Sequence, residues 1–216
     1  KLFLSIVSLC NVFVEKKFFT SNNIVFQSGW FGSEIFAKGL CNLVGILFFP
    51  YTGELWGVNN GRDMLGDHHL KEVLNIIHEG KHYGWPYCYE PQVLDNDFGI
   101  SFDCSKTEVP AYTFTAHMAP LGLSCYQKGM LPKRYDHSVF FAFHGSWNRS
   151  IPIGYKVTRL KLDSMGNIIS HKDFINVRFN KDYSPSGSPV DIKYSPEGDL
   201  YLVDDFLGVV YKLNTH

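Results

Sequence analysis

Hydrophobic positions recur along this chain as short runs, not as long helical stripes. In Tyr155-Lys156-Val157-Thr158-Arg159-Leu160-Lys161-Leu162 polar and apolar residues alternate with period two, as in a strand with one buried face. Residues 44–60 and 190–205 share a longer pattern: an apolar run, a turn carrying proline then glycine, a second apolar run, and an amide or acidic pair. Proline presets φ and glycine accepts positive φ, so Pro50 with Gly53 and Pro196 with Gly198 predict tight reversals. Residues 121–126 and 138–143 form a weaker middle copy. A third apolar run follows each pair, at 73–77, 155–162 and 209–213. Repeated strand-turn-strand units predict an all-β fold of β-propeller blades. About three blades are expected, with an outer strand near Glu34 and Lys38 and an insertion at 84–110. A propeller typically closes with four to eight blades, so an incomplete ring is expected.

Composition narrows the function classes. Hydrophobic residues make up 45% and charged residues 19% of the 216 residues, which predicts a packed core. A net charge of -1 argues against a nucleic-acid partner, which calls for a basic face. None of the five cysteines (Cys10, Cys41, Cys88, Cys104, Cys125) forms a C-x-x-C pair, so a thiolate zinc site is not expected. Cys88 and Cys104 bracket a turn-rich segment and read either as a disulfide of an oxidising compartment or as buried thiols. The apolar start, KLFLSIVSLCNVFV, is too short for a spanning helix. It reads as a buried strand or as the core of a secretory signal. Asn148-Arg149-Ser150 is a glycosylation sequon.

One stretch carries two chemistries. His78-Glu79-Gly80-Lys81-His82 matches H-E-x-x-H, in which two histidines one helical turn apart hold zinc and the glutamate polarises a bound water. Leu70, Val73, Leu74 and Ile77 have helical spacing, which suits that reading. Gly80 inside the motif, and Gly84 and Pro86 just beyond it, oppose a helix.

Read whole, residues 34–216 resemble the soluble quinoprotein sugar dehydrogenases, the glucose/sorbosone dehydrogenase family. The landmarks are Gly53-Glu54-Leu55-Trp56, Asn59-Asn60-Gly61-Arg62-Asp63, His82-Tyr83-Gly84-Trp85-Pro86-Tyr87-Cys88-Tyr89, Ala119-Pro120-Leu121-Gly122-Leu123, His144-Gly145-Ser146-Trp147-Asn148-Arg149-Ser150 and Pro189-Val190-Asp191. Residues 1–33 are left unassigned. The resemblance implies the C-terminal part of a six-bladed propeller that binds pyrroloquinoline quinone and calcium and oxidises a sugar substrate in the periplasm or outside the cell. It implies calcium held by the backbone carbonyls of Gly61 and Arg62, and cofactor contacts from Asn42, Asn148 and Arg149. Two arginines of the family pattern are Cys41 and Ser188 here. Their loss implies weaker cofactor binding, because arginine forks clamp carboxylates. The family's general-base histidine belongs to the N-terminal half, so His117 and His144 are the catalytic candidates in this chain. The resemblance therefore implies a dehydrogenase portion, inactive alone, that needs a missing propeller half or a second copy. A non-catalytic propeller module is the alternative.

Overall fold

The computed structural model describes residues 2–5, 22–27, 33–89, 91–127 and 131–213. In chain order the strands are β1 (Leu2–Ser5), β2 (Asn22–Gln27), β3 (Ser33–Leu40), β4 (Asn42–Phe48), β5 (Leu55–Asn60), β6 (Glu72–Ile77), β7 (Cys88–Tyr89), β8 (Val93–Leu94) and β9 (Tyr112–Phe114). They continue as β10 (Pro120–Tyr126), β11 (Ser138–Phe143), β12 (Lys156–Leu162), β13 (Ile168–Asn176), β14 (Pro189–Tyr194), β15 (Leu200–Asp204) and β16 (Val209–Leu213). The helical elements among the described residues are two short 3-10 turns, Cys104–Lys106 and Lys133–Tyr135.

The expected all-β class is the observed one. Sheets β4-β5-β6-β9 and β10-β11-β12-β13 have four strands, and β14-β15-β16 has three. These are the three blade-like units anticipated from the repeated pattern. The outer strand expected near Glu34 is β3. It does not stand alone, because it pairs antiparallel with β2, and β2 with β1. The strand reading of the apolar start therefore holds for Leu2–Ser5. The signal reading, and Cys10 with it, extends outside the described residues.

The chain divides into two compact units, residues 1–44 with 54–117 and residues 45–53 with 118–216. In the first, Leu43, Val58 and Leu74 have no exposed surface, and Trp56 is buried beside them in sequence on β5. In the second, β11 is buried at all six positions. It is flanked by strands on both edges, so both of its faces and its ladder groups are covered. Phe140, Ala142, Val157, Ile192 and Leu202 form one core, with Tyr135, Phe174 and Tyr194 packed against it. Rings at Phe140 and Phe174 meet edge to face at 4.6 Å, a preferred aromatic geometry.

The helix required by the zinc reading is absent. Leu74 and Ile77 lie on β6, with Leu74 opposite Val58 and Ile77 opposite Leu55 in the β5 register. Val73 and Leu74 also pair with β9. Cross-strand burial explains their spacing equally well, because short apolar runs fit either period. Beyond Ile77, Gly80 takes φ +74° in a turn, which a right-handed helix does not permit.

Candidate functional site

Strand β5 leaves its sheet at Asn60, and the chain turns through Gly61 and Arg62. Gly61 is required there: a Cβ would lie 3.0 Å from both Cβ and the carbonyl oxygen of Leu70. Its N–H donates to the Glu72 carboxylate at 2.7 Å, and Glu72 is buried on the neighbouring β6. The Arg62 side chain runs into the 84–110 insertion. Its guanidinium donates to Asp95 at 3.1 Å and Asp97 at 2.9 Å and lies 5.2 Å from the centre of the Phe98 ring. Asp95 is 2% exposed, and its other oxygen accepts the N–H groups of Asp97 and Phe98. The Cys88–Cys104 disulfide staples the same insertion, which decides between the two readings of that pair. The insertion thus fixes Arg62 through its side chain.

His117 braces this turn from the other side. It is buried with φ +63°. Its Nε2–H donates to the Gly66 carbonyl at 2.9 Å, and Nδ1 lies 3.5 Å from Asp63. The ring thus faces residues 63–66, and the Nε2–H bond ties His117 to the far end of the turn.

Among the described residues of this unit, three buried side-chain oxygens lack a hydrogen-bond partner: Oδ1 of Asn42, Asn59 and Asn60. Asn42 begins β4 and Asn60 ends β5. Of the three, Asn59 lines a cavity of about 40 Å³, together with Asn75, Gly61, Arg62, Cys41 and Cys88. A buried acceptor left unpaired costs about 1–3 kcal/mol. Amide and peptide oxygens are the ligand type that hard cations such as calcium prefer, so this donor set fits calcium. The carboxylates of a quinone cofactor fit less well. Cys41 is disulfide-bonded and offers no cationic fork.

The remaining candidates belong to the second unit. His144 follows β11, and its Nε2–H faces both carboxylate oxygens of Asp205 at 3.1 and 3.2 Å. Its side chain is 38% exposed. Its backbone N–H donates to Ala119 at 2.9 Å, and its carbonyl accepts from Ser188 Oγ at 2.6 Å. Ser188 is buried, and its N–H donates to buried Asp204 at 2.9 Å. The second Asp204 oxygen accepts the Leu207 N–H at 3.0 Å. Ser188 thus does structural work where the resemblance implies a charged clamp. Asn148 and Arg149 lie half-buried in the bends after exposed Trp147. That loop is tied down by Tyr155 Oη donating to the Ser146 carbonyl at 2.8 Å and the Ile153 N–H donating to Ser146 Oγ at 2.9 Å.

The zinc residues do not assemble. The His78 N–H donates to Tyr83 Oη at 2.8 Å. His82 accepts the Gly84 N–H on Nδ1 at 3.0 Å and lies 5.5 Å, centre to centre, from the ring of Phe102. Burial, with Lys38 adding to it, holds the His82 imidazole neutral to lower pH than usual. The Arg62–Asp95–Asp97 brace was missed in the sequence. The insertion's paired aspartates were its only signal, and nothing local links them to an arginine more than thirty residues away.

Comparison with known proteins places the chain. A family model described as TrAA12-like matches residues 12–216, beginning upstream of the landmarks that start at residue 34. An uncharacterized protein of Borreliella burgdorferi is 37% identical over 183 residues, which are 83% of this chain and 48% of that protein. An uncharacterized protein of Synechocystis is 26% identical over 179 residues, 80% of this chain and 36% of that one. The chain thus spans half the length or less of these relatives. Among solved structures, the calcium structure of a Trichoderma reesei carbohydrate-active enzyme of family AA12 superposes with a TM-score of 0.71 at 20% identity, over 82% of this chain and 53% of that one. The holo form of the pyranose dehydrogenase PQQ domain from Coprinopsis cinerea gives 0.66 at 22% identity, over 85% and 56%. The soluble aldose sugar dehydrogenase of Escherichia coli gives 0.56 at 21% identity, over 80% and 44%. These likenesses show a shared fold. Taken with the match across residues 12–216, the order of landmarks from the Asn-Gly-Arg turn to Pro189-Val190-Asp191 has a direct explanation: the chain belongs to the TrAA12-like family.

Proposed function

We propose that this chain is part of a quinoprotein sugar dehydrogenase that oxidises an aldose or sorbosone-like sugar at its anomeric carbon. The observation that carries the reading is the set of unpartnered amide oxygens at the ends of β4 and β5, Oδ1 of Asn42, Asn59 and Asn60, next in sequence to a turn whose Arg62 side chain is held by Asp95 and Asp97. In this reading Gly61 and Arg62 hold calcium through their carbonyls, and Asn42 supplies the amide beside the cofactor. Pyrroloquinoline quinone, when bound, supplies the hydride acceptor, with calcium as the Lewis acid beside it. The resemblance also assigns Asn148 and Arg149 to the cofactor. His144, oriented by Asp205, is the base candidate that keeps a ring nitrogen outside its Asp205 contact. The remaining blades come from the rest of a longer protein or from a second copy. Two disulfide-bonded positions, Cys88–Cys104 and Cys41, support a periplasmic or secreted setting.

The test is calorimetric titration of the purified chain with the quinone, with and without calcium, followed by dye reduction with aldoses. Calcium-dependent quinone binding that weakens in Asn42→Ala and Arg149→Ala is expected. A second reading, a propeller module that kept the scaffold and lost the chemistry, is favoured by Cys41 and Ser188 at the two clamp positions. Calcium uptake with no quinone binding at any concentration would decide for that module.

A further inference from the structure

One residue of the first unit touches the 84–110 insertion at its start, middle and end. His82 Nδ1 accepts the Gly84 N–H at 3.0 Å where the insertion begins. The His82 carbonyl accepts the Glu108 N–H at 2.9 Å where it returns. Between these feet, the His82 ring lies 5.5 Å, centre to centre, from Phe102, which stacks on Tyr87 at 4.5 Å. The seat of the ring is closely fitted. A Cβ on Gly39 would lie 2.5 Å from the imidazole, so β3 approaches this near only because glycine stands there. Next to Gly39, Lys38 donates its N–H to the Lys81 carbonyl at 2.9 Å and accepts the Tyr83 N–H at 2.8 Å.

The bond to Gly84 depends on protonation. An Nδ1 that accepts belongs to a neutral imidazole, whereas a protonated ring carries N–H at both nitrogens. A charged His82 would set Nδ1–H against the Gly84 N–H, donor facing donor. Burial, then the charge of Lys38 on β3, opposes that proton. Lys81 and Glu108, at the two feet, are paired with each other at 2.8 Å. Tyr83 directs its hydroxyl to the Ile76 carbonyl of β6 at 2.8 Å, and the phenol of Tyr87 belongs to the insertion itself.

We propose that His82 is a pH-sensitive latch, whose protonation releases the start of the 84–110 insertion and loosens the hold of Asp95 and Asp97 on Arg62. The insertion is closed on itself by Cys88–Cys104, so freeing a foot lets it shift as a body. The latched form binds the proton more weakly than the released form, and acid therefore favours release. The latch is held above the ordinary histidine value of 6.5 and lost as pH falls below it. The device is independent of the dehydrogenase reading and needs neither quinone nor calcium.

The experiment is amide hydrogen exchange of the intact chain at about pH 7.5 and about pH 5, either side of the histidine range, corrected for the intrinsic rate. Peptides from 84–110 and 60–66 are expected to exchange about tenfold faster at the lower pH, the factor that about 1.4 kcal/mol represents, while β5 and β6 stay protected. His82→Asn offers an acceptor that does not titrate and is expected to remove the pH dependence. Equal acid release in His82→Asn, or loss of protection in β5 and β6 at the same pH, would overturn the proposal. A measurement on wild type alone covers a variant that fails to fold: in an NMR titration the Gly84 amide and the His82 ring should shift with one midpoint below 6.5. A Gly84 amide that ignores the ring would sink the latch.

Discussion

The 60–66 turn of the first unit and the 188–207 rim of the second solve one problem in opposite ways. Each must hold backbone in an irregular path at the end of a sheet. The first uses charge: Arg62 between Asp95 and Asp97, in an insertion closed by a disulfide. The second uses one buried carboxylate, Asp204, that accepts two backbone N–H groups, with Ser188 and His144 linked through Oγ and a carbonyl. The charged solution takes up the Arg62 guanidinium and both aspartates. The hydrogen-bonded solution consumes the polar atoms of Ser188. This contrast explains why Arg62 is a brace in the first unit while Ser188 is a buried donor in the second.

The largest effect expected from breaking the contrast is at Asp95. Asp95→Ala removes the buried partner of Arg62, leaving it only the exposed Asp97, and is expected to cost about 3–5 kcal/mol in urea unfolding. A loss below that of Asp204→Asn would show that the charges are not what holds the turn. Replacing Cys88 and Cys104 together opens a loop of 16 residues and is expected to cost about 3 kcal/mol by the same measurement. Asp204→Asn keeps an acceptor and weakens two bonds, for about 1–3 kcal/mol. It should leave calcium affinity unchanged, whereas Asp95→Ala should lower it.

A smaller effect separates the units by pH. Burial, then Lys38, lowers the pKa of His82 in the first unit, and burial, then Lys156, lowers that of His171 in the second. A histidine with a depressed folded pKa takes up its proton more readily when unfolded. The stability it contributes is therefore complete above the ordinary histidine value of 6.5 and is lost as pH falls below it. His82→Gln should flatten that fall in the thermal midpoint, measured between pH 7 and pH 5 (round values about the histidine range). An unchanged slope would assign it to His171 or to carboxylates.

Much of the architecture was legible in the residues. Period-two alternation at 155–162 became β12, and the proline-glycine turns at 50–53 and 196–198 became the reversals before β5 and β15. β13 was not legible, because its apolar residues sit in adjacent pairs, Ile168-Ile169 and Phe174-Ile175, and so show no alternation. β9 was too short, at three residues. The Asn-Gly-Arg turn could be named from its order among the landmarks. That His117 braces it could not, since a histidine reads the same whether its nitrogens face solvent or a carbonyl.

What the amino-acid sequence determined alone is therefore the local part: strands, reversals, and residue types set at the ends of strands, all governed by neighbours a few positions away. Tertiary structure alone decided which polar groups are spent and which are spare. Arg62 became a brace, Ser188 a buried donor and His82 an imidazole tilted against Phe102. The reason is that hydrogen bonds and ion pairs act over about 3 Å, and only folding brings Arg62 to Asp95 or Ser188 to His144.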